Sequence, residues 1–174
     1  MGGPLSYDDV PPPRVWLAFA FLGVWLYLIS QILRGYPTAV SGATGLDPYV
    51  AFQVLAATSG LGSIMVLSGL VAALWRSNLA AGLSPSGVRG LVLGAAGVGV
   101  LVLFEIATIL RLLGLEEDAL TSLVRAQAVG DVLGTALAFA GLAFLAVGLT
   151  HAVGLFRPAR EAPPTPKPTA EKQA

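Results

Sequence analysis

The strongest constraint on this chain of 174 residues is where its charges are missing. Lys, Arg, Asp and Glu together make up 11% of the sequence, against roughly 25% in an ordinary soluble domain. Four stretches lie between them: Val15 to Leu33, Tyr49 to Trp75, Gly90 to Leu110, interrupted only by Glu105, and Val132 to Phe156. Each exceeds the length of about 18 apolar residues at which a segment reads as a membrane span. Even the shortest, 19 residues, rises about 28 Å as an α-helix, close to a hydrocarbon core of roughly 30 Å. With 55% hydrophobic residues and a mean hydropathy of +0.77, the expected fold is all-α: an integral membrane four-helix bundle with short loops. The segments 1–14 and 158–174 are proline-rich and are expected to be disordered tails.

Composition removes several function classes. The chain has no cysteine, so disulfides, thiolate metal sites and thiol relays are out. Ten basic residues balance ten acidic ones, which gives no footprint for nucleic acid. There is no P-loop, HExxH or GxSxG pattern, so the chain is not expected to be an enzyme. No cofactor or metal is expected either. The single histidine, His151, lies twenty residues beyond Asp131 on one helix, about 30 Å away, and reads as an interfacial polar residue.

Lys and Arg are enriched in cytoplasmic segments. Arg14, Arg76, Arg89, Arg157, Arg160, Lys167 and Lys172 fall on one side of the four spans and Arg34, Arg111 and Arg125 on the other, seven against three. Both termini are therefore placed in the cytoplasm and the protein in the cell membrane. The segments from Arg34 to Pro48 and from Arg111 to Asp131 become outer loops, and the apolar spacing of Leu115, Ala119, Leu120, Leu123 and Val124 suits either an interfacial helix or an outward extension of the fourth span. Ser84–Pro85–Ser86–Gly87 reads as a turn with the third span starting just after it. Gly23 to Arg34 (GVWLYLISQILR) and Gly99 to Arg111 (GVLVLFEIATILR) are similar enough to suggest a 2+2 duplication of a hairpin.

Two helix faces and one side chain stand out. Gly90, Gly94 and Gly97 share one side of the third span, and Gly130, Gly134 and Gly141 recur along the fourth, as expected where helices in lipid pack closely. Glu105 lies six residues before Arg111, about 9 Å inside the outer boundary, on the same face as the glycines. A carboxylate at that depth is kept when it is neutralised, paired or functional. Its expected companions at similar depth are Gln31 and Ser30, Gln53, Gln127 and Asp131, with Arg34, Arg111 and Arg125 able to reach inward. The readings that follow are a non-catalytic subunit or scaffold of a larger membrane complex, self-associating or with other membrane subunits; a small oligomeric proton- or ion-coupled transporter or channel using Glu105; and a quinone-site or electron-transfer accessory subunit.

Overall fold

The computed structural model describes residues 12–82, 84–114 and 118–153, and among these it is entirely helical. Five helices follow in order: α1 (Pro13–Arg34), α2 (Pro37–Thr44), α3 (Pro48–Ala81), α4 (Pro85–Leu112) and α5 (Asp118–Val153). Four of them, all but α2, are long and apolar enough to cross a membrane. Residues 1–11 of the expected N-tail, the expected C-tail, Arg157 and the end of the fourth stretch lie outside the described residues, whereas Pro13 and Arg14, expected in the N-tail, already belong to α1.

Proline punctuates the chain. Pro13, Pro37, Pro48 and Pro85 each open a helix, where the missing N–H is not needed and the fixed φ favours the first turn. Asp47 caps α3 by accepting from the Tyr49 and Val50 N–H groups at 2.8 and 3.4 Å, and Ser84 caps α4 through the Gly87 N–H at 3.0 Å. The third span therefore starts within the Ser84–Gly87 motif rather than after it. Helix α2 was not expected in the loop after Arg34. It ends at Gly45, whose φ of 75° is the left-handed cap that glycine adopts freely. Leu115 lies outside the described residues; α5 is continuous from Asp118, so the segment from there to Asp131 extends the fourth span as one helix.

Small residues decide how the helices meet. α1 packs mainly on α3 and α4 mainly on α5, while α3 also touches α4 and α5. At the first interface a Cβ on Gly62 would lie 2.7 Å from the Tyr27 nitrogen, and one on Gly69 2.7 Å from the Trp16 carbonyl. The backbones can approach only because these side chains are absent. On α4, Gly90 faces Leu145, Gly94 faces Gly141 and Val71, and Gly97 faces Ala138 and Gly134; on α5, Gly130 lies against Phe104 and Gly134 against Leu101. The glycine faces of both helices are thus occupied within the chain.

Among the described residues the bundle is not closed. α3 is central, and α1 makes no extended contact with α4 or α5. The physical reason is that α1 has a single stripe of small residues, Ala20, Gly23 and Ser30, which are its buried ones. That stripe is used against α3, which leaves a seam between α1 and α5.

Candidate functional site

At the end of the bundle that carries Arg34, Asp47 and Arg111, two cavities of about 370 and 400 Å³ meet around Glu105. The first lies between α1 and α5 over the floor of α3, lined by Gln31 and Arg34, by Ser59, Gly60 and Ser63, and by Gln127, Asp131 and Thr135. Tyr49, Gln53, Thr108 and Arg111 line the second, and Ala56, Glu105 and Gln127 are common to both. The five polar residues that depth alone grouped in the sequence, Glu105, Gln31, Gln53, Gln127 and Asp131, therefore surround this pair of cavities. Ser30 does not join them: it is buried, and its hydroxyl donates to the Leu26 carbonyl of its own helix at 2.6 Å.

Glu105 is only 7% exposed. Its carboxylate lies over Gly60 of α3, where any Cβ would collide with Oε2 and approach Cδ to 2.6 Å. Gly60 is in effect the recess that admits the acid, a role that spacing along one helix does not reveal. Oε1 has no hydrogen-bond partner among the described residues. Arg34, one expected counter-charge, sits with its guanidinium 4.7 Å from the centre of the Phe52 ring, a cation–π contact that holds it at the cavity rim. Asp131 is exposed on the same rim.

The wall facing Glu105 is rich in acceptors. Ser59 donates its hydroxyl hydrogen to the Ala56 carbonyl at 2.8 Å and Ser63 to the Ser59 carbonyl at 3.2 Å. With the hydrogens committed to α3, the hydroxyl lone pairs remain for a ligand. Two carboxylates, two such hydroxyls and the carbonyls of Gln31 and Gln127 give the first cavity acceptors for a proton or a cation, beside the donors of Tyr27, Thr135 and the two Gln amides, and Arg34 is its one cationic side chain among the described residues.

A second polar cluster, at the opposite end, was not anticipated. The sequence ends the second span at Trp75, yet α3 continues to Ala81 and buries Arg76 and Asn78 at 5% and 0% exposure. Asn78 donates from Nδ2 to the Leu74 carbonyl and across to the Leu145 carbonyl of α5, each at 2.9 Å. The same end carries His151, whose Nδ1 lies 3.0 Å from the Val147 carbonyl, far from Glu105. A polar residue just past an arginine looks like loop sequence, so charge counting places both outside the membrane helix. Compared with protein-family profiles, with curated proteins and with solved structures, the chain matches none.

Proposed function

We propose that this protein is a small multi-pass membrane carrier or channel for protons or monovalent cations, with Glu105 as the group that takes up and releases the ion. The observation that carries the reading is the position of that side chain: buried, with Oε1 unpartnered, over a recess made by Gly60, and shared by two polar cavities. An acid retained in a membrane helix under those conditions is a functional group by default. The test is flux in proteoliposomes under an imposed pH or cation gradient. Wild-type protein conducts, Glu105→Gln does not, and Glu105→Asp is partly active; a Gln variant with undiminished flux would end this reading.

The lysine and arginine distribution supports a cell-membrane protein with both termini in the cytoplasm, which turns the Glu105 cavities toward the exterior. The pairing of α1 with α3 and of α4 with α5 supports a 2+2 duplication, with one hairpin per half. No catalytic role is proposed, and neither a cofactor nor a metal.

The open seam between α1 and α5 favours a second reading, a non-catalytic subunit of a larger membrane complex in which a partner helix completes the bundle. Purification in mild detergent tests it. A stoichiometric partner supports the reading, and a lone chain in every detergent tried counts against it.

A further inference from the structure

Below the first Glu105 cavity the seam continues as an apolar groove of about 390 Å³. The two share Tyr27, Ser63 and Thr135, so polar cavity and groove adjoin along the seam and together form a cleft. Val24 and Leu28 of α1 and Phe139 of α5 flank the groove and are 37%, 46% and 59% exposed. With α1 and α5 unpacked on one another, the cleft is open sideways toward the acyl chains. Each part lies near the lower end of the roughly 300–1,000 Å³ typical of small-molecule sites.

We propose that this cleft binds an amphiphilic cation: an ammonium head held between Glu105 and Asp131, and a single alkyl chain laid in the groove between α1 and α5. Charge complementarity selects the head. In the first cavity Glu105 and Asp131 outnumber the guanidinium of Arg34, which is engaged over Phe52, while Arg111 lines the second cavity beyond Glu105; the first cavity, where the groove begins, is therefore the one whose net negative charge accepts a cation. The hydroxyl oxygens of Ser59 and Ser63, whose hydrogens are committed to α3, add acceptors and no donors. An inorganic ion would use the cavity and leave the groove without purpose, whereas an alkyl chain fills the groove and reaches the head site laterally from the bilayer. The inference rests on Glu105 as the exchanging group and names the class of solute it meets there.

The experiment uses the full chain in lipid nanodiscs and labelled dodecyltrimethylammonium as probe, read by scintillation proximity. Binding is expected to be saturable, displaced by unlabelled probe, at least about tenfold less sensitive to tetramethylammonium (a difference of roughly 1.4 kcal/mol), and unaffected by dodecanol or decylubiquinone. Glu105→Gln and Asp131→Asn are each expected to weaken the probe by about tenfold. Val24→Trp, at a lipid-facing position that fills the groove, weakens the dodecyl probe and leaves tetramethylammonium binding unchanged, and it keeps the proposal falsifiable if an acid variant fails to fold. Absence of saturable binding overturns the proposal. So does displacement by dodecanol or decylubiquinone, an unaltered Val24→Trp, or a co-purified protein that must be stripped before the probe binds. Cation flux lost in Glu105→Gln with no probe binding in the wild type rejects the amphiphile and keeps the ion reading; probe binding without any flux does the reverse.

Discussion

Gly60 and Glu105 form a matched pair, one residue supplying the space the other occupies. A methyl at Gly60 meets the far end of a flexible side chain rather than backbone, so the carboxylate swings aside and the helices stay in place. The overpacking penalty then lies near the low end of its range, about 1 kcal/mol, and the gain in helix propensity from Gly to Ala, also about 1 kcal/mol, offsets it. Gly60→Ala is therefore expected to melt like the wild type while its ion flux drops by about tenfold, equivalent to roughly 1.4 kcal/mol in a barrier. Melting curves and proteoliposome flux on the same preparations check both halves. A variant with full flux would mean that the placement of the carboxylate is immaterial.

Among the elements, the α4–α5 interface gives the clearest contrast. A Cβ at Gly97 runs into the Ala138 nitrogen and the Gly134 carbonyl, both backbone, whereas one at Gly99 meets nothing within 4 Å. Gly97→Ala should destabilise by about 1–3 kcal/mol, and Gly99→Ala should be neutral or stabilising by up to about 1 kcal/mol. Denaturant titration in mixed micelles distinguishes them; equal stability of the two would contradict the close approach. Both glycines look alike in sequence, but their azimuths differ, and period 3.6 places Gly97 with Gly90 and Gly94. The four spanning helices are legible because long stretches between charges mark their apolar middles, although α3, α4 and α5 all run beyond those charges. Helix α2 is not, since Thr38 to Thr44 is a run of small residues with no apolar period. The burial of Arg76 and Asn78 is hidden for a related reason, because a charge reads as a boundary in sequence where the helix in fact continues into the bundle.

For the whole molecule, depth along the spans was enough to group Glu105 with Gln31, Gln53, Gln127 and Asp131. The contributions of Tyr27, Ser59, Gly60 and Ser63 depend on how each helix is rotated against its neighbours, information a single chain does not encode in a readable period. The open seam belongs to the same class, because it reflects which pairs of helices meet. Orientation is a further property of the whole molecule, and the absence of cysteine makes it directly testable. With Gly42→Cys in α2 and Ser86→Cys at the start of α4 as unique thiols, the proposed topology has a membrane-impermeant maleimide label the first in intact cells and the second only after permeabilisation. The opposite pattern would invert the assignment and turn the Glu105 cavities toward the cytoplasm. The order in which the helices pair also has a consequence for biogenesis. Each tight interface joins consecutive spanning helices, so α1 and α3 can zip together in the bilayer while the ribosome is still making the rest. Glu105 sits on α4 and its recess, Gly60, on α3, so the acid is covered only by contact between the two helix pairs and not by the tight interface within either.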